Sequence, residues 1–143
     1  MPSLWIIARP DRGDGIFYRD SNTGVRDVTD GTAQTLAAGE RAQDFGQSAW
    51  AGSVTGAVLF PTKVGLGYPR AENAAGMVLG HAGGRYGPGD PNSEVNQFYS
   101  HHSGGVNFLF ADGHVSFLKT SLANVTFRAL ATRAGGETIS GDF

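Results

Sequence analysis

His102–Leu118 reads HSGGVNFLFADGHVSFL. Two apolar-rich runs, Val106–Ala111 and His114–Leu118, flank Asp112-Gly113. An Asp-Gly pair between such runs predicts a β-hairpin, because a tight two-residue turn needs positive φ at its central positions. A two-residue loop sets the register. Ala111 is expected opposite His114, Phe110 opposite Val115, Leu109 opposite Ser116 and Phe108 opposite Phe117. Side chains alternate along a strand. Val106, Phe108, Phe110, Val115 and Phe117 then form the expected core face. Asn107, Leu109, Ala111, His114, Ser116 and Leu118 form a mixed second face.

Around this hairpin, the chain has 143 residues, a formal net charge of −2 and no cysteine. That length suits one domain, expected over residues 1–143. Hydrophobic residues make up 40% and charged residues 17%, a globular rather than disordered balance. The 22 glycines require many turns and irregular loops. Near-neutral charge without a Lys/Arg cluster argues against nucleic acid as a partner. The lack of cysteine excludes disulfides, thiolate zinc sites and a Cys nucleophile. The longest apolar run near the start, Leu4–Ala8, is too short for a membrane span or a signal peptide, so the sequence as it stands carries no expected anchor or targeting segment.

Before the hairpin the signals are shorter. A strand is expected at Ile16–Arg19, a turn at Asp20–Gly24, and a helical turn at Val28–Gly31 capped by Asp27. Gln34–Arg41 fits either strand or helix. Ala49–Phe60 (AWAGSVTGAVLF) reads as buried strand, and Met77–Leu79 as a short apolar strand. Gly80–Asn96 is rich in Gly and Pro and reads as a long loop, the kind that is often functional. After the hairpin a helix is expected over Val125–Ala134. Asn124 is its expected N-cap, Val125, Phe127 and Leu130 are its apolar residues, and Gly135-Gly136 stops it. Trp5 and Trp50 are read as core residues.

Three groups of residues suggest chemistry. His101, His102, Asp112 and His114 are metal-ligand types. However, strand rise separates His102 from Asp112 by roughly 20 Å, too far for one ion. Asp112-Gly113 is therefore read as a structural turn, and His102 as the donor or acceptor of a hydrogen bond locking the loop before the hairpin. Asp90, Asn92 and Glu94 place three oxygen side chains at alternating loop positions, which suits calcium. Asp11 and Asp14 are a second candidate pair. Either set also fits a solvated loop with Asx turns. Ser100, His101 and His102, with Ser103 and His81 nearby, offer a nucleophile and bases for ester or lactone hydrolysis. Gly46–Trp50 fails as a nucleophile elbow at its last position. Arg85 and Tyr86 are read as hydrogen-bonding residues.

His102, nine intervening residues and Asp112-Gly113 resemble the H-X9-DG signature of the prepilin-like protein group abundant in planctomycetes. Gly15–Arg41, Gly104–Lys119 and Phe127–Glu137 resemble that group too, in the expected order. The group looks related to the major pseudopilin G of type II secretion. The resemblance implies an α+β, β-rich head domain that faces outside the cell, here without the N-terminal anchor helix. It also implies a possible bound calcium ion and protein partners or self-association. His114 departs from the pattern, which more often has Ser there. The favoured expectation is thus a non-enzymatic, pseudopilin-like head in an extracellular or cell-envelope setting. The competing one is a small, metal-dependent hydrolase such as a lactonase.

Overall fold

Residues 105–119 are rich in aromatic and β-branched types, and they form two-thirds of a small antiparallel sheet. The computed structural model describes residues 13–43, 78–82, 85–93, 96–139 and 143. Strands β1 (Leu36–Gly39), β2 (Gly105–Phe110) and β3 (Val115–Lys119) are followed by helix α1 (Asn124–Ala131). The sheet order is β1-β2-β3, with both pairs antiparallel. This is the α+β arrangement expected from the sequence. Ala49–Phe60, Trp5, Trp50, Asp11 and Glu94 lie outside the described residues.

The hairpin forms, but its register differs from the expected one. Val106 pairs with Leu118, Asn107 with Phe117, Phe108 with Ser116 and Leu109 with Val115. Ala111 belongs to the loop rather than the ladder. The Phe110 N–H donates to the His114 carbonyl at 2.9 Å, and the Gly113 N–H to the Phe110 carbonyl at 3.0 Å. Gly113 alone in the Ala111–Gly113 loop has positive φ, at 96°. A three-residue loop with a left-handed glycine replaces the two-residue turn. The cause lies outside the hairpin. The Ala111 N–H is taken by the Thr35 carbonyl at 2.9 Å, and the Asp112 N–H by the Thr32 carbonyl at 3.2 Å.

A one-residue slip turns over every side chain of the displaced strand. The buried core is therefore Leu36, Val106, Phe108, Phe110, Leu118, Phe127 and Leu130. Val115 and Phe117, expected in it, stand on the outer face at 63% and 39% exposure, beside Leu109 at 40%. Leu118, expected on the mixed face, is fully buried.

The lead-in to β1 also departs from expectation. Ile16–Arg19 is not a strand. A 3-10 turn covers Val25–Asp27 rather than Val28–Gly31, and Asp27 Oδ2 accepts the Gly24 N–H at 2.7 Å instead of capping a later turn. A second 3-10 turn follows at Thr32–Gln34. The ambiguous Gln34–Arg41 stretch resolves as β1, with a bulge between Leu36 and Ala38. Gly39 permits a close approach: a Cβ there would meet the rings of Phe108 and Phe98. These rings pack edge to face at 4.9 Å. Val78 and Leu79 are not in a strand, and Met77 lies outside the described residues. The Gly80–Asn96 stretch contains no helix or strand among its described residues. The Gly89 N–H donates to Phe98 and the His81 N–H to Asn96 at 3.2 and 2.8 Å. Tyr99 then runs parallel beside Arg41.

Helix α1 lays Phe127, Ala129 and Leu130 on the sheet, and the Phe127 ring meets Phe108 at 5.6 Å. Val125, expected on that apolar face, is 75% exposed. Ala123, not Asn124, holds the N-cap position. The Asn124 side chain instead donates to the Arg85 carbonyl at 2.7 Å. The helix ends at Ala131 rather than Ala134, because the next residues bind the N-terminal segment. The Arg133 guanidinium donates to the carbonyls of Gly13 and Gly15 at 3.0 and 2.6 Å. The Gly135 and Gly136 N–H groups donate to the Asp30 carboxylate at 2.7 and 2.9 Å. Two of the segments that carry the resemblance, Gly15–Arg41 and Phe127–Glu137, are thus bound to each other.

Candidate functional site

Each end of the hairpin carries a histidine beside a carboxylate. At the open end, Glu40 follows β1 directly and faces β2. Its Oε2 accepts the Asn107 N–H at 2.9 Å and the Asn107 side-chain amide at 3.3 Å. Its Oε1 lies 3.2 Å from His102 Nε2. A carboxylate only accepts, so His102 Nε2 carries the hydrogen there. The His102 ring also meets the edge of Phe117 at 6.3 Å. Burial pushes the Glu40 carboxyl up, but the Asn107 N–H, the Asn107 amide and His102 outweigh it and hold the group below its ordinary range. Neighbouring Arg41 is buried deeply enough to lower its pKa and reaches the Leu79 carbonyl at 3.5 Å. A guanidinium keeps its charge regardless.

At the tip, Asp112 Oδ1 accepts the His114 N–H at 3.0 Å and lies 2.6 Å from His114 Nδ1. The His114 backbone N–H, then its imidazole, hold the Asp112 carboxyl below the usual range. The His114 ring stacks on Phe110 at 4.3 Å. Asp112 and Gly113 lie in the turn, and the His102 imidazole bonds Glu40. His102 and Asp112 serve separate clusters.

The candidate hydrolytic residues share one turn without forming a nucleophile–base pair. Ser100 is buried. Its hydroxyl donates to the Gly105 carbonyl at 2.8 Å and accepts the His102 N–H at 3.2 Å. Its hydrogen therefore points to a backbone oxygen, not to an imidazole nitrogen. His101 packs its ring against Tyr99 at 6.1 Å, and Ser103 is exposed.

In the candidate calcium loop, the Asn92 N–H and side-chain amide both donate to Asp90 Oδ1, at 2.8 and 3.1 Å. This is an Asx turn. Among the described residues, Ser93 Oγ and both side-chain polar atoms of Asn96 are buried without a hydrogen-bond partner. Among the described residues, no three His, Asp or Glu side chains stand together as a metal cage.

Glu40 is the site residue that the sequence reading missed. Its signal was local: a lone carboxylate directly after a strand of small and apolar residues, LAAG. Its partners lie 62 and 67 residues away, so nothing nearby in sequence marks its role.

The fold and this site define a small α+β domain. In it an antiparallel hairpin sheet is tied to the preceding loop through a Glu–His–Asn cluster. Residues 2–124 match the family described as "Protein of unknown function (DUF1559)", and the chain belongs to that family. The match fits the prepilin-like resemblance. Neither the curated proteins nor the solved structures include a match to this chain.

Proposed function

We propose that this domain is the non-enzymatic, outward-facing head of a prepilin-like protein in a cell-envelope secretion or pilus-like system, acting through protein contacts. The observation that carries this reading is the use of the motif residues. His102 bonds Glu40, Glu40 bonds β2, and Asp112 bonds His114. Motif side chains engaged in this way support a structural role. Family membership supports the prepilin-like setting. No helix among the described residues is long and apolar enough to cross a membrane.

Fractionation of cells expressing the tagged, full-length gene product tests the setting. Recovery in the envelope or medium is expected, and recovery only in the cytosol overturns it. A panel of lactones and aryl esters, assayed with and without EDTA, tests the absence of catalysis. Turnover that His102→Ala or Ser100→Ala abolishes would establish a hydrolase instead.

Calcium is the cation we assign to the Asp90 loop in this reading. The Asp90 carboxylate is the charged oxygen that the described part of the loop offers, and the buried Ser93 and Asn96 oxygens have no hydrogen-bond partner among the described residues. Glu94 is the further expected ligand. Bound to the native state alone, the ion stabilises the fold, so the melting midpoint is expected to rise in millimolar calcium and fall with EDTA. No shift in either direction removes calcium from the proposal.

A further inference from the structure

Arg133 follows α1 closely, yet its side chain is spent on the start of the described chain. The guanidinium donates to the carbonyls of Gly13 and Gly15 at 3.0 and 2.6 Å and lies over the Tyr18 ring, 5.1 Å from its centroid. The backbone of Arg133 joins the same arrangement. Its N–H donates to the Asp14 carbonyl at 3.0 Å, and its carbonyl accepts the Asp30 N–H at 3.2 Å. Gly13–Tyr18 is shaped for this contact. A Cβ at Gly13 would stand 2.7 Å from Tyr18 Cβ, and one at Gly15 would stand 3.2 Å from the Ala131 carbonyl oxygen. The segment therefore doubles back on itself and lies against the end of α1. It contains no helix or strand, so no ladder of backbone bonds holds it there. Segments near the end of a domain are poorly ordered unless something ties them down.

We infer that the Arg133 guanidinium clamps Gly13–Tyr18 to the C-terminal end of α1 and so fixes the direction in which the chain enters the domain. This deepens the head-domain reading, on which it rests. A head joined through a clamped entry keeps a set angle to whatever carries it, whereas a head on a free linker swings. Arg133 is a positioning residue in this role.

Two properties single out its side chain. First, the planar fork of a guanidinium serves two carbonyls at once, whereas a lysine ammonium is a point charge on a flexible stem. Second, the face of the same group rests on an aromatic ring, a favourable place for a cation. One side chain thus grips the segment at Gly13 and Gly15 and again at Tyr18. The backbone bond from Arg133 to Asp14 holds only the point between.

The chain has no cysteine, so two introduced thiols report the clamp. Phe17 on the segment and Val125 on α1 are both exposed. With a nitroxide on each thiol of Phe17→Cys/Val125→Cys, pulsed electron spin resonance gives the distribution of distances between segment and helix. That distribution is expected to be narrow, and to become at least about twofold wider when Arg133→Ala is added, as for an untied segment. Arg133→Lys should stay wide, because the ammonium does not reproduce the fork. Tyr18→Leu keeps the guanidinium and removes the ring face, so it should widen the distribution less than Arg133→Ala. Amide exchange across β2 and β3, followed in every variant, should not change, because the guanidinium bonds no sheet residue. A distribution as narrow in Arg133→Ala as in its parent overturns the inference, as does a narrow distribution in Arg133→Lys. Faster exchange across the sheet in Arg133→Ala also overturns it, since Arg133 would then hold the fold rather than its entry. None of these failures touches the fractionation result on which the head-domain reading is tested.

Discussion

The two ends of the hairpin hold the same chemical pair in different ways. At the tip, Asp112 and His114 are two residues apart, and both side chains are partly exposed, as at the open end. At the open end, Glu40 and His102 are 62 residues apart, and Glu40 also binds the backbone of β2. The tip pair organises one loop. The open-end pair joins β1, β2 and the turn that enters the hairpin. A hydrogen bond that unites distant segments contributes to the tertiary fold, whereas a local one mainly selects a turn. The shorter bond is thus the less consequential: 2.6 Å at the tip against 3.2 Å at the open end.

The strongest way to break the comparison is Gly39→Ala. The added methyl meets the Phe98 and Phe108 rings beside Glu40. Overpacking of this kind is expected to cost about 2–3 kcal/mol in chemical denaturation. Amide exchange should quicken around Glu40, Tyr99 and Asn107 while the turn at Asp112–His114 changes least. Equal change at both ends would show that they are not independent.

Glu40→Ala comes next. It leaves the partly buried Asn107 N–H without its acceptor and frees His102. The expected loss is about 1–2 kcal/mol, limited by the partial exposure of the Glu40 side chain to water. A loss no larger than that of Asp112→Ala would refute the distinction drawn between the two ends.

Acid sharpens it further. The folded Glu40 carboxyl lies below its ordinary value of 4.5, so the unfolded chain takes up its proton first. The contribution of Glu40 is present above about pH 4.5 and is lost as pH falls through its folded pKa. Asp112 behaves alike, but from an ordinary value of 3.8, so its loss begins at lower pH. Stability measured from pH 7 to 3 should show a shallower upper part of the acid limb in Glu40→Gln. Asp112→Asn should affect only its lowest part. Superimposable limbs for the wild-type chain and Glu40→Gln would exclude this role for the carboxylate.

The smallest effect is expected for Asp112→Asn at neutral pH. Asn retains a side-chain oxygen for the His114 N–H and is itself favoured in turns. The melting midpoint should move less than in any variant above.

Much of this architecture was legible in the sequence. Asp112-Gly113 marked the hairpin turn, Phe127 and Leu130 marked the buried face of α1, and the Gly/Pro content of 80–96 marked the loop. The register was not legible, because β3 is ambiguous in itself. Val115 and Phe117 offer one apolar face and Leu118 the other, so alternation alone cannot say which is buried. The end of α1 was hidden for a similar reason. Thr132–Ala134 can continue a helix, but Arg133 binds Gly13 and Gly15 and draws the chain away.

The sequence by itself determined the local elements: a glycine able to adopt the left-handed turn, apolar runs suited to strands, and a short amphipathic helix. These follow from backbone sterics and side-chain periodicity, which act between near neighbours. Only the tertiary structure decided which face of β3 is buried and where His102 is held. Both depend on partners far along the chain, Thr32 and Thr35 at the hairpin tip and Glu40 at its open end. A backbone N–H goes to whichever acceptor the assembled fold brings within reach, and here the lead-in to β1 took the Ala111 N–H and set the register of the hairpin.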